Sequence, residues 1–190
     1  MSDKIPTGLG FGAAPLGNAQ PPIARDDAVA TLKLAYNKGV RYFDTAPLYG
    51  RSRSETIVGA FLAMIPRNDV VLSTKAGRLV RDGGFIYDYS YDGVMQSIDE
   101  SLERLRTERL DIVYMHDIGT MTHGDGHARV MREAIDGGFP ALARLKDEGV
   151  VGAIGIGVNE TAVCLEALQQ VRLDYIMLAG CYTLLDQSAN

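Results

Sequence analysis

Four times along this chain a short apolar run leads into a residue that can do chemistry, and each time an amphipathic helix follows. The run 40–43 leads into Asp44, 70–74 into Lys75, 110–115 into His116 and 151–158 into Asn159. The helices are predicted at 54–64, 91–105, a stretch ending at 141–147, and 161–169. In the second of them Val94, Ile98, Leu102 and Leu105 recur at helical spacing and mark one buried face. A helix over 28–37 precedes the first strand, with Asp26 and Asp27 as N-cap candidates and Lys38-Gly39 as its stop. A last strand is predicted at 175–179, and the Gly- and Pro-rich segment 4–17, with an apolar stretch at 11–14, supplies an irregular first unit. Strands that are apolar throughout, alternating with helices, imply a parallel sheet covered by helices.

Such a sheet is either open and doubly wound or closed into a barrel. A dinucleotide-binding open sheet carries GxGxxG after its first strand. Gly10-Phe11-Gly12 runs into Ala13-Ala14-Pro15, and Gly155-Ile156-Gly157 into Val158-Asn159-Glu160, so both lack the third glycine. Those glycines read as markers of tight strand ends. In a barrel the carboxyl ends of all strands meet at one rim, where active sites are built. In an open sheet four such ends would be spread over ~15 Å, at ~4.8 Å per strand. The expectation is therefore an α/β chain of (β/α)8 TIM-barrel type, one domain over residues 1–190, with about strands one to six present.

Composition narrows the partners. A net charge of −5 argues against nucleic acid and anionic membrane surfaces, which select basic proteins. No run approaches the ~18 apolar residues needed to span a bilayer. Residues 1–6 contain no apolar signal core, and Cys164 and Cys181 form no CxxC pair, which together suggest a cytoplasmic protein with two buried, reduced thiols.

The polar residues suit one chemistry as a set. A buried Lys75 beside the Asp44 carboxylate stays protonated, because the opposite charge offsets desolvation. A tyrosine near that ammonium, here Tyr49, has its phenolate favoured and can exchange a proton with a carbonyl or alcohol oxygen. A neutral His116 can donate a hydrogen bond to the same oxygen. The hydride such a reaction needs comes from no side chain, and a nicotinamide cofactor supplies it. Taken singly, each residue has a plainer explanation: a loop cap for Asp44, a satisfied core histidine for His116, one of nine tyrosines for Tyr49. Two other chemistries use some of the same residues. His116, His123 and His127 could ligate a metal, but residues 120–126 read as loop and no acidic or Cys ligand is in register. A Schiff-base aldolase would need Lys75 neutral, and Asp44 pushes it the other way.

At this point several motifs match a family. Val40-Arg41-Tyr42-Phe43-Asp44-Thr45-Ala46-Pro47-Leu48-Tyr49-Gly50 resembles the aldo-keto reductase signature, with Ser54-Glu55 and Gly59 fitting the helix after it. Ser73-Thr74-Lys75, the run from Ser101 to Leu105 followed by Leu110 to Asp117, and Gly155-Ile156-Gly157-Val158-Asn159 resemble later family segments. The resemblance covers the chain from about Leu9 to its end. It implies Tyr49 as proton donor or acceptor, Lys75 and Asp44 as its tuners, and His116 as substrate orienter. It further implies Asn159 on the nicotinamide carboxamide and Asp44 near the cofactor, NAD(P). Residues 87–91, 117–119 and 157–160 resemble the sugar-dehydrogenase branch, which includes D-threo-aldose (L-fucose) 1-dehydrogenases and pyridoxal 4-dehydrogenases. Its members oxidise a sugar hemiacetal or an equivalent aldehyde, so the expected partner is a small sugar or carbonyl substrate.

Val158 stands where many relatives have Ser, and no Gln stands near Ala179, which loosens the expected grip on the nicotinamide. A full barrel takes ~250 residues or more. The last two βα units, which in this family bind the pyrophosphate and adenosine, have no counterpart in residues 1–190. The expectations are weak cofactor affinity, little turnover by this chain alone, and an oligomer or further segment covering the open barrel edges. A non-enzymatic interaction module built on the same barrel is the competing reading, and retention of all four site residues argues against it.

Overall fold

Along the chain the strands are β1 (Phe11–Gly12), β2 (Tyr42–Asp44), β3 (Val71–Ala76), β4 (Arg78–Arg81), β5 (Gly84–Tyr87), β6 (Leu110–His116), β7 (Val151–Val158) and β8 (Tyr175–Leu178). The helices are α1 (Ala14–Asn18), α2 (Arg25–Asn37), α3 (Arg53–Leu62), α4 (Tyr91–Leu105), α5 (Thr120–His123), α6 (His127–Glu133), α7 (Phe139–Asp147) and α8 (Thr161–Leu168). These come from a computed structural model that describes residues 8–82 and 84–187. The opening residues 1–6, read above as lacking a signal core, lie outside the described residues.

Six strands form one sheet in the order β1-β2-β3-β6-β7-β8, every neighbouring pair parallel. With β4 and β5 set aside, spatial order equals chain order. A doubly wound sheet reverses its order at a switch point, and none occurs here. The sheet is six strands' worth of a (β/α)8 barrel.

Register explains which side chains face inward. Side chains alternate across a strand, and the pairs Tyr42↔Val71, Asp44↔Ser73, Ser73↔Ile112, Lys75↔Tyr114 and His116↔Gly157 put all these positions on one face. On this face Val71, Ile112 and Tyr114 are buried, with Tyr42, Ala153, Tyr175 and Met177 packed on them. The opposite face, with Phe43, Leu72, Val113 and Ile156, packs under the helices in the main core. There Val94, Ile98 and Leu105 of α4 are fully buried, and Ser90 caps that helix by accepting from Gly93 N at 3.1 Å.

Several local expectations are corrected. Asp26 and Asp27 are not N-caps: α2 begins at Arg25, and both acids sit in its first turn, where they complement the helix dipole. Residues 120–126, expected as loop, form α5 and a 3-10 turn. Lys75 lies inside β3, not beyond its end. Gly12 does close β1, whereas Gly155 lies inside β7 and Gly157 one residue before its end. A Cβ on Gly155 would lie 2.3 Å from Tyr175 O and 2.9 Å from the Tyr114 ring, and one on Gly157 would lie 3.3 Å from Tyr114 Cβ. Their small size makes room for Tyr114 of β6 and, at Gly155, for the backbone of β8. The β4–β5 hairpin was not anticipated, although Asp82-Gly83 between two apolar runs is a hairpin signal. No helix among the described residues is long and apolar enough to cross a membrane. Cys164 and Cys181 are buried and form no disulfide.

Candidate active site

Asp44 closes β2, Lys75 lies one residue before the end of β3, and His116 closes β6. These strands are adjacent, so their carboxyl ends bring the three side chains together on the inward face. Tyr49 arrives from the turn between β2 and α3. That turn is pressed backbone to backbone against α1: a Cβ on Gly17 would lie 2.6 Å from Tyr49 O, and Gly50, at φ +60°, approaches Gly17 equally closely. Gly50 N also donates to Asn18 Oδ1 at 2.6 Å. Only glycine tolerates both the close approach and the left-handed backbone.

Lys75 Nζ donates to Asp44 Oδ2 at 2.6 Å and to Thr45 O at 3.0 Å. Lys75 is 3% exposed and Asp44 9%. The other carboxylate oxygen of Asp44 accepts from Ser73 Oγ at 2.6 Å. Ser73 in turn meets Tyr42 OH at 3.0 Å, and Tyr42 meets Tyr114 OH at 3.1 Å. A hydrogen-bonded chain thus runs along the inward face and ends on the ion pair. Burial, the largest single influence on Lys75, opposes its charge, but Asp44 and Tyr49 outweigh it and hold the ammonium above its ordinary range. That ammonium lies 4.8 Å from the centre of the Tyr49 ring.

His116 approaches Tyr49 edge-on, with ring centres 6.0 Å apart at 87°. Burial pushes its pKa well below 6.5, and Lys75 and Arg78 push the same way, so the ring is neutral. One of its nitrogens, Nε2, lies 3.4 Å from Asp117 Oδ2. The other, Nδ1, is buried without a hydrogen-bond partner. A histidine held neutral by the fold makes stability pH-dependent. The unfolded chain takes up a proton as pH falls below about 6.5 while the folded chain does not. The contribution is complete above that value and is lost as pH falls through it towards the lower folded pKa. Denaturant midpoints between about pH 7 and 5 should therefore fall less steeply in His116→Gln than in the parent chain. Parallel slopes would mean that His116 titrates normally.

Asn159 follows β7 and is exposed, and its Nδ2 donates to Ala179 O at 3.1 Å, so the amide is turned to the end of β8. Beside it Cys181 Sγ donates to Asn159 O at 3.1 Å, and a cavity of about 500 Å³ opens between Asn159, Glu160, Ala179, Gly180 and Met121. The structure thus joins Asp44, Tyr49, Lys75 and His116, and sets Asn159 at a neighbouring cleft. The other two histidines go elsewhere. His123 Nε2 meets Tyr89 OH at 3.2 Å, while His127 bridges Ile118 O and Glu166 Oε2, each at 2.9 Å.

Sequence reasoning missed Ser73, Asp117 and Arg78. Ser73 was findable, because two residues before Lys75 on a strand shares its face. Asp117, next to His116, carries its signal only in its neighbours: its carboxylate accepts from Arg78 of the unanticipated hairpin.

The Aldo/keto reductase family model matches residues 8–190. The chain is 41% identical to pyridoxal 4-dehydrogenase of Microbacterium luteolum, over 95% of this chain and 60% of that protein. It is 40% identical to D-threo-aldose 1-dehydrogenase of a Pseudomonas species, over 95% of this chain and 59% of that one. Among solved structures it is similar to the aldo-keto reductase AKR11C1 from Bacillus halodurans in its holo form, with a TM-score of 0.73 and 30% identity over 90% of this chain and 52% of that one. The chain therefore spans about 60% of the length of the curated relatives it matches.

Proposed function

The chain belongs to the aldo/keto reductase family, and from that premise we propose that its site serves NAD(P)-linked oxidation of a sugar hemiacetal or an equivalent aldehyde. The observation that carries the proposal is the Asp44–Lys75 pair buried beneath Tyr49, with a neutral His116 edge-on to the same phenol. The Tyr49 oxygen lies beside a fixed ammonium, and it can take a proton from the substrate hydroxyl as the phenolate or return one to a carbonyl oxygen as the phenol. Asp44 keeps Lys75 charged at a buried position, and Ser73 keeps Asp44 in place. His116, being neutral, can donate to the substrate oxygen without adding a second positive charge to the site.

The residues present fit the nicotinamide half of a dinucleotide. The Asn159 cleft lies at the carboxyl ends of β7 and β8, on the rim where the proton-transfer group sits, and it offers an amide of the kind that pairs with a carboxamide. When bound, the nicotinamide supplies or accepts the hydride. The sugar assignment rests on the relatives, two of which are named for a pyridoxal and an aldose. The test is turnover of aldoses and simple aldehydes with NAD+ and with NADP+ by this chain completed to a full barrel, followed by nicotinamide absorbance, with lactone or acid identified as product. Appearance of reduced cofactor stoichiometric with product is expected. Failure of every aldose and aldehyde with both nucleotides would overturn the reading.

A further inference from the structure

The segment 119–126 carries one wall of the cleft at Asn159, because Met121 lines it beside Asn159 and Glu160. Neither α5 nor the 3-10 turn Gly124–Gly126 after it buries a residue. The segment is therefore held by a few ties and not by packing into the core. Met121 N donates to Glu160 Oε1 at 2.9 Å. His123 Nε2 meets Tyr89 OH at 3.2 Å, and its ring stands edge-on to Tyr87. The remaining tie is His127, the first residue of α6. Its Nδ1 reaches back along the chain to Ile118 O, and its Nε2 reaches Glu166 Oε2 on α8, each at 2.9 Å.

Both partners of this ring only accept hydrogen bonds, one being a peptide carbonyl and the other a carboxylate. A neutral imidazole has a single N–H and serves one of them, which sets the lone pair of its second nitrogen against an oxygen. The imidazolium carries a proton on each nitrogen and serves both. The surroundings favour that form. Burial opposes the charge, but Glu166, the Ile118 carbonyl and Glu160 outweigh it and hold the pKa above 6.5. His123 of α5 also faces this ring, and its own pKa is lowered by burial and by the charges of Arg78, Arg129 and His127. Asp125 and Arg129 are the charged neighbours of His127 along the chain. We propose that His127 is a pH-sensitive clasp on the Asn159 cleft. As an imidazolium it closes the loop 118–127 on itself and fastens it to α8. Once deprotonated it gives up either Ile118 O or Glu166, and the wall at Met121 loosens. The clasp belongs to the free chain, while its bearing on a bound dinucleotide rests on the function proposed above. Its linkage has the opposite sign to that of His116. A folded pKa above the unfolded one contributes stability in full below about pH 6.5, and that stability is lost as pH rises through the folded value.

Histidine NMR and amide hydrogen exchange on this chain completed to a full barrel decide the matter, with the His127 signals assigned by their loss in His127→Ala. Near about pH 6 both ring nitrogens of His127 are expected to carry protons, and its titration should be centred above about 6.5. Glu166→Gln should lower that midpoint, and since the Glu166 side chain is 42% exposed the change should leave the fold intact. Protection of the amides 119–127, corrected for intrinsic exchange, should fall in the parent as pH rises through the His127 midpoint. In His127→Ala it should be low at both ends of the range and show no such step. A His127 ring that is singly protonated near about pH 6, or that titrates at or below about 6.5, would overturn the proposal. So would protection that is level with pH in the parent, or that falls equally in His127→Ala. An unmoved midpoint in Glu166→Gln would remove α8 from the clasp and overturn it likewise. None of these readings needs substrate or cofactor, so failure of aldoses and aldehydes to turn over would sink the functional reading alone.

Discussion

In this chain completed to a full barrel, Tyr49→Phe is expected to lower NAD(P)-linked turnover of an aldose by about 10² to 10⁴-fold, the usual worth of a positioned general acid–base. The phenol oxygen is the only atom removed. The ring would still pack against the Lys75 ammonium and His116, so the local structure should persist. Cofactor affinity should change little, because the cleft at Asn159 is lined by other residues. The effect should fall on kcat and kcat/KM together, as for an interaction made mainly in the transition state. Steady-state kinetics beside a nucleotide titration separate these cases. Unchanged turnover would assign the proton to another group and would falsify the role given to Tyr49.

Lys75→Met is expected to have the largest effect on stability, a loss of about 3–5 kcal/mol. Nothing comparable would remain to compensate Asp44, whose carboxylate would keep a hydroxyl donor from Ser73 but lose the ammonium 2.6 Å away. The side chains are 3% and 11% exposed, so water cannot take over. Removing both charges, in Asp44→Asn with Lys75→Met, should cost less than the sum of the single changes, because the penalty is for an unpaired charge more than for a lost attraction. Denaturant unfolding of the four proteins measures this. Additive single effects would show that the pair is not coupled, and a Lys75→Met chain as stable as its parent would show that Asp44 is solvated in ways the geometry does not suggest.

Both predictions turn on groups whose types and order were plain from the sequence, and on contacts that were not. The strand–helix alternation and the residues at four strand ends sufficed for the parallel, barrel-type sheet, because apolar periodicity is a local property of the chain. Asp44, Tyr49, Lys75 and His116 could be named from their positions relative to that pattern. The hairpin was signalled locally by Asp82-Gly83 and overlooked. The pairing of Asp44 with Ser73, the Gly17–Gly50 contact that seats Tyr49, and the Arg78–Asp117 ion pair join residues 29 to 39 positions apart. No spacing rule reaches so far, since strand register alone decides which side chains share a face.

Chain order, then, determined which chemical groups this protein can bring to one rim, because each apolar strand delivers its terminal residue there whatever its neighbours do. The tertiary structure alone decided their states. Whether Lys75 is charged and whether His116 is neutral depend on burial and on the neighbouring charges. Those are set by distances between strands and not by distance along the chain.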